Sequence, residues 1–258
     1  MPTLQETARM ALPLLDLTSL NESDSAADIA ALCARAATPA GPVAALCVWP
    51  RHVSVARQGL LRVDLQDRVK VATVINFPTG ANAPDAVVSE LEAALASGAD
   101  EIDLVFPYRA LMAGDKQAGY RLVSRCRQAL DAHCLKVILE TGELKDPLLI
   151  RAASEIAIEA GADFIKTSTG KVTVNATLEA ARIMLQAIAD SGRAVGFKAA
   201  GGIRTTAEAG AYLDLAADLL GEHWLRPERF RFGASSLLDD LLQTLGLGSG
   251  PAGSDKGY

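Results

Sequence analysis

The sequence predicts an α/β fold closed as a (β/α)8 TIM barrel, on three observations. Short β-branched runs alternate with Ala- and Leu-rich amphipathic stretches along the chain. The 258 residues, half of them hydrophobic, suffice for one large core, and α/β barrels of about 250 residues form one domain. No Gly-x-Gly-x-x-Gly follows a first strand, so the open doubly wound sheet lacks its signature. The expectation is a single domain over 1–258 with an N-terminal helical extension and a flexible C-terminal tail.

In chain order, a helix is expected at 25–37, ahead of a first strand at 43–49 (VAALCVW). Strands follow at 69–76 (VKVATVIN), 101–106 (EIDLVF), 135–140 (LKVILE), 164–169 (FIKTST), 194–200 (AVGFKAA) and 230–234 (FRFGA). A weaker strand near 217–220 completes eight. The intervening amphipathic stretches are 51–62, 84–97, 116–132, 147–160, 176–190, 205–215 and 236–245. The segment from about 246 to 258 (GLGSGPAGSDKGY) is too rich in Gly and Ser to support a core and reads as flexible.

An internal echo aligns SGADEIDLVF (97–106) with AGADFIKTST (160–169) without a gap. It places Asp103 and Lys166 at equivalent positions, in one layer of the barrel interior. Pleat alternation agrees. Ile102, Leu104 and Phe106 share one face, Glu101, Asp103 and Val105 the other, while Val195 and Phe197 point to the helices and Gly196 and Lys198 inward. Strand 135–140 turns Lys136 and Glu140 to one side. An interior holding Lys136, Lys166, Lys198, Asp103 and Glu140 calls for a functional or pairing explanation.

A lysine in a dry interior beside a second cation is driven toward the neutral amine, and a neutral amine attacks carbonyls. Lys166 and Lys198 are therefore a candidate Schiff-base pair, with Asp103 as proton shuttle or counter-ion. The rival reading is a structural ion pair with Asp103 or Glu140. Spacing leaves the two near parity, and three lysines against two carboxylates favour chemistry.

Glycine-bearing strand ends suggest an anion site: Gly170 and Lys171, then Gly201 and Gly202 with Arg204, then Gly233, Ser235 and Ser236 at the start of the last helix. Singly each is weak, since Ser235 or Ser236 with Asp239 also reads as a helix cap and Gly-Gly as a tight turn. Together they favour a phosphorylated ligand. Cys47 lies on an inward strand position but reads more readily as a small buried hydrophobe. Asp16 reads as a helix-end cap or a ligand contact, with the cap slightly favoured.

His52, His133 and His223 are scattered and the four cysteines do not cluster, so no metal and no cofactor are expected. The cysteine pattern fits a reduced, cytoplasmic setting. The N-terminus lacks a basic start and a long apolar stretch, which argues against a signal peptide. A net charge of −6 without a basic run argues against nucleic acid, and no apolar stretch approaches membrane-spanning length. A homodimer is a general expectation for barrel enzymes that no residue pattern here localises.

At these residues the chain closely resembles the 2-deoxyribose-5-phosphate aldolase family of class I aldolases. The matching stretches are LLDLTSLN, PRHVSVAR, INFPTG, GADEIDLVFPYRALMAG, LKVILETGELKD, GADFIKTSTGKVTVNAT, VGFKAAGGIRT, RFGASSLL and the terminal Tyr258. A departure is Ala199, where a related group carries proline. The resemblance implies Lys166 as the Schiff-base lysine. It implies Lys198 as the cation that depresses the Lys166 pKa and shares in proton transfer, and Asp103 as proton relay. It also implies Gly170, Lys171, Gly201, Gly202, Gly233, Ser235 and Ser236 around phosphate, Asp16 and Cys47 near substrate, and Tyr258 closing over the site. The implied reaction is reversible cleavage of 2-deoxy-D-ribose 5-phosphate into D-glyceraldehyde 3-phosphate and acetaldehyde. The alternatives are a phosphosugar isomerase using Glu140 as base and a non-catalytic phosphosugar-binding protein.

Overall fold

A computed structural model describes residues 2–248. Eight parallel strands close into a barrel: β1 (Leu15–Ser19), β2 (Ala45–Val48), β3 (Lys70–Ile75), β4 (Glu101–Val105), β5 (Cys134–Ile138), β6 (Phe164–Lys166), β7 (Gly196–Ala200) and β8 (Phe230–Ala234). Each pairs with its neighbours in sequence, and β8 returns to β1. The main helices are α1 (Leu4–Ala11), α2 (Ala26–Ala36), α3 (Val53–Arg62), α4 (Pro84–Ala96), α5 (Tyr108–Met112), α6 (Lys116–Leu130), α7 (Thr141–Leu144), α8 (Pro147–Glu159), α9 (Leu178–Ser191), α10 (Thr206–Leu220) and α11 (Leu237–Thr244). A two-residue hairpin, Ala37–Thr38 with Gly41–Pro42, precedes β2.

The helix starts follow from local chemistry. Thr3, Ser25 and Thr205 build reciprocal capping boxes with Glu6, Asp28 and Glu208. Asp115, Asp146 and Thr177 cap α6, α8 and α9 through side-chain oxygens. Proline opens α4 and α8, where its missing N–H costs nothing.

Three sequence expectations are corrected. Residues 217–220 form no strand but the last turn of α10, a helix whose buried stripe runs through Tyr212, Leu213, Leu215 and Ala216 just before them. The remaining barrel strand is β1, so the helix at 26–36 follows the first strand, and the N-terminal extension is α1, which packs on α10 and α11. The signal for β1 was period-two alternation in LDLTS: Leu15 and Leu17 join the outer core, whereas Asp16 enters the barrel. Strand β6 is shorter than expected and ends at Lys166. Beyond it the Thr167 N–H still donates to Lys198 O at 3.1 Å, and its hydroxyl adds two hydrogen bonds with the Ala200 backbone, at 3.2 and 3.0 Å.

The internal echo has a structural basis. Asp100 accepts the Val71 N–H at 2.8 Å and the guanidinium of Arg57 on α3. Asp163 accepts the Leu135 N–H at 2.8 Å and Arg127 of α6 at 2.7 Å. Each Gly-Ala-Asp thus ties the foot of one strand to the preceding strand and to the helix ahead of that strand, which sets Asp103 and Lys166 at matching heights. Outside β7 and β8, Phe197, Phe230 and Phe232 pack as a cluster, with ring centroids 5.7 Å apart for Phe197–Phe230 and 4.8 Å for Phe230–Phe232. Phe197→Ala should cost about 3–5 kcal/mol of stability, read as a lowered urea midpoint, because the cavity opens directly behind the Lys198 strand.

Candidate active site

The barrel interior holds a connected set of charges. Lys166, Lys198 and Arg231 stand in register on β6, β7 and β8. Facing them are Asp16 from β1 and Glu101 and Asp103 from β4, and Lys136 completes the set from β5. Asp103 is the hub: Oδ2 accepts from both Lys166 Nζ and Lys198 Nζ at 2.8 Å, and Oδ1 accepts from Lys136 Nζ at 3.0 Å. Sharing one oxygen keeps the two amines within roughly twice a hydrogen-bond length of each other. Lys198 also donates to Asp16 Oδ2 at 2.5 Å, Lys136 to Glu101 Oε2 at 2.5 Å, and Arg231 to Asp16 Oδ1 at 2.6 Å and Glu101 Oε1 at 3.0 Å.

Burial penalises the charges of Asp16, Asp103, Lys136, Lys198 and Arg231, yet their partners outweigh it. On Lys198, burial opposes the ammonium, but Asp103 and Asp16 hold it above the ordinary lysine value. Lys136 is raised likewise by Asp103, Glu101 and Asp16. Burial pushes Asp103 up, but Lys136, Lys166 and Lys198 bring it well below the usual carboxylate range. Asp16 is lowered in the same way by Lys198, Arg231 and Lys136. Both carboxylates are therefore anionic at neutral pH.

Lys166 differs from the other two lysines in one respect. Lys136 and Lys198 are 0% exposed, whereas Lys166 retains 3% and forms part of the wall of a cavity of about 270 Å³. Three late strand ends surround that cavity: Gly170 and Lys171 after β6, Gly201 and Gly202 after β7, and Gly233, Ser235 and Ser236 after β8. Two of these glycines are required by space. Gly201 sits at φ +85°, and a Cβ there would come within 2.7 Å of Asn175. At Gly233 a Cβ would lie 3.0 Å from Lys198 Cε, so the glycine clears the path of that side chain.

The helix-cap reading of the serines does not hold. Ser236 makes no side-chain cap to α11, and Asp239 turns away to Arg35 at 2.6 Å. Asp16 is not a helix cap either: it lies within β1, fully buried, and its carboxylate is taken by Lys198 and Arg231. Asp16 and Cys47 are absent from the cavity wall. Cys47 is buried beside Leu20, Ala72 and Val74, and burial pushes its thiol up. Glu140 does not pair with the lysines. It stands at φ 57° beyond β5, where its carboxylate accepts from Thr169 N at 3.2 Å and Thr169 Oγ1 at 2.6 Å, and burial raises its pKa. Tyr258 lies outside the described residues.

Sequence reasoning missed Arg231, Glu101 as a partner, and the wall residues Thr18, Ser19 and Asn21. The alternation of FRFGA, with Phe230 and Phe232 outward, carries the signal for Arg231, and LDLTS carries that for Thr18. Among the described residues no His, Cys, Asp and Glu group suits a metal ion, and no helix is long and apolar enough to cross a membrane.

A parallel barrel whose mouth cavity ends on one interior amine is an architecture suited to carbonyl chemistry. The chain belongs to the DeoC/LacD family of aldolases, whose family model matches residues 10–243, and it is accordingly an enzyme of the lyase class. Solved structures agree. A candidate deoxyribose-phosphate aldolase from Toxoplasma gondii is 28% identical, with 94% of this chain and 95% of that chain covered and a TM-score of 0.87. One from Coccidioides immitis is 32% identical, covering 94% and 87%, with a TM-score of 0.79. The deoxyribose phosphate aldolase of Aeropyrum pernix is 25% identical, covering 93% and 92%, with a TM-score of 0.74.

The depressed carboxylates set an acid limit. Unfolded Asp has a pKa near ~3.9, so the stability that Asp16 and Asp103 contribute is complete above that value and is lost as the pH falls through it toward their lower folded values. Urea midpoints should fall steeply below about pH 4, where the unfolded chain takes up protons first.

Proposed function

We propose that the enzyme is a class I, Schiff-base aldolase that reversibly cleaves 2-deoxy-D-ribose 5-phosphate to D-glyceraldehyde 3-phosphate and acetaldehyde. The observation that carries this reading is Lys166: it forms part of the cavity wall while its nitrogen is held at 2.8 Å by Asp103, which also binds the charged Lys198. The deoxyribose-phosphate aldolase names of the structural neighbours support the choice of substrate.

The chemistry follows from the geometry. Lys166, as the neutral amine, attacks the C1 aldehyde of the open-chain sugar. The Asp103–Lys198 pair supplies the proton that lets water leave, and an iminium forms. That cation takes the place of the lost ammonium as the partner of the Asp103 carboxylate. A base then removes the C3 hydroxyl proton, and the C2–C3 bond breaks. The electron pair passes to the iminium to give a two-carbon enamine, and the three-carbon phosphorylated aldehyde departs. Asp103, anionic at rest, accepts that proton through a water and passes it on, since its low pKa prevents it from keeping it. Proton return to the enamine and hydrolysis release acetaldehyde and regenerate the amine. The iminium is the electron sink, so this reading requires neither metal nor cofactor.

The phosphate is assigned to the three late loops. Gly170, Gly201, Gly202 and Gly233 let backbone N–H groups come close, Ser235 and Ser236 stand at the N-terminal end of α11, and Lys171 supplies charge. Lys171 Nζ donates to Leu20 O at 2.6 Å and lies 6.0 Å from the centroid of the Trp49 ring, neutral contacts that an anion can replace. Asp16 acts here through Lys198 rather than by touching substrate. The isomerase alternative is weakened because Glu140 already holds Thr169. Free cysteines at Cys33, Cys47, Cys126 and Cys134 fit the cytoplasmic setting proposed with this activity.

Borohydride with substrate should fix a mass adduct on Lys166, and Lys166→Arg should abolish acetaldehyde release in a coupled dehydrogenase assay. An active enzyme that forms no adduct would exclude the covalent mechanism. Ser236→Ala should raise KM for the phosphorylated sugar by about tenfold while leaving that for unphosphorylated deoxyribose unchanged, as loss of one hydrogen bond to a charged group predicts.

A further inference from the structure

Among the described residues, the charged network of the barrel interior contains four cations (Lys136, Lys166, Lys198 and Arg231) and three carboxylates (Asp16, Glu101 and Asp103). One cation is in surplus. A guanidinium cannot shed its proton, so the surplus falls on a lysine. Arg231 occupies Asp16 Oδ1 and Glu101 Oε1, the oxygens that the lysines leave free. Lys136 and Lys198 each keep hydrogen bonds to two carboxylates, and Lys166 keeps one. Arg231 itself is absent from the cavity wall.

On the aldolase reading above, we propose that Arg231 is a positioning residue for the reacting amine: its permanent charge takes up carboxylate capacity at the barrel floor and leaves Lys166 as the lysine that gives up its proton. It acts through the chain Arg231–Asp16–Lys198–Asp103–Lys166, without touching substrate.

Asp103 alone contacts this amine among the described residues, and the other titratable groups of the interior enter from nearly every strand. β1 supplies Asp16, β2 Cys47, β4 Glu101 and Asp103, β5 Lys136 with Glu140 beyond its end, β7 Lys198 and β8 Arg231. From β3 come the apolar Ala72 and Val74, paired in register with Glu101 and Asp103. Lys171 and Arg204 stand at the cavity wall. Glu140 is committed to Thr169, and the buried Cys47 thiol is held in its neutral form, so neither offsets the surplus.

The test uses charge sign, which a merely structural role would not follow. The rate of borohydride trapping on Lys166 is measured against pH in the full-length protein, beside kcat/KM. Arg231→Gln removes a positive charge and should move the acid limb of both profiles up by about one pH unit. Glu101→Gln removes a negative charge and should move it down. The double variant should return to the wild-type position, and Arg231→Lys should stay near it. Should Arg231→Gln fail to fold, the downward shift in Glu101→Gln and its reversal in the double variant still decide the matter. Profiles that coincide, or single variants that shift in the same direction, overturn the role of Arg231 while leaving the aldolase reading intact. Absence of any adduct in the wild type overturns both.

Discussion

The Asp103 carboxylate is the interaction on which the interior depends. Three lysines from three strands end on its two oxygens. A carboxylate stripped of water is stable only when such donors replace its hydration, and buried ammonium groups need an acceptor in return. The requirement is mutual: loss of Asp103 would leave Lys166 without a hydrogen-bond partner among the described residues and Lys136 and Lys198 with one acceptor residue each. Ordinary barrel interiors are filled by branched apolar side chains. Here a layer of charge replaces part of that filling, and Gly233 clears the space through which Lys198 reaches the hub.

The barrel is accordingly graded along its axis. Glu101 and Arg231 lie toward the N-terminal ends of the strands, where Glu101 borders a second, outer cavity with His133 and Cys134. Asp103, Lys166 and Lys198 occupy the middle. Above them the loops leaving β6, β7 and β8 are built of glycine and serine, whose backbone donors suit an anion. On the proposed aldolase reading, chemistry and anchoring are thus separated by height, with a phosphate in the loops and a carbonyl at Lys166, the one barrel-interior lysine on the cavity wall among the described residues.

Most of this was legible in the sequence, and the gaps have physical causes. The alternation of strands with amphipathic helices indicated the barrel, and the paired Gly-Ala-Asp segments placed Asp103 in one layer with Lys166. β1 was missed because five residues rich in leucine resemble a helix end as much as a strand. Asp16 was consequently read as a cap, although it is an interior counter-ion. Arg231 was not singled out, because which face of FRFGA points inward follows only once Phe230 and Phe232 are known to face the helices. Glu140 was placed among the lysines by strand alternation, but the backbone leaves the strand before it, and its left-handed conformation turns the carboxylate to Thr169.

Local patterning was sufficient for what depends on near neighbours along the chain: the order of elements, the capped helix starts, the glycine-bearing strand ends and the inward face of each long strand. Pairing was different. Which carboxylate meets which amine involves residues as far apart as Asp16 and Lys198, or Glu101 and Arg231, and their contact is created by closure of the sheet on itself. Coulomb energy and hydrogen bonding depend on distance in space, and that distance exists only after β8 has returned to β1.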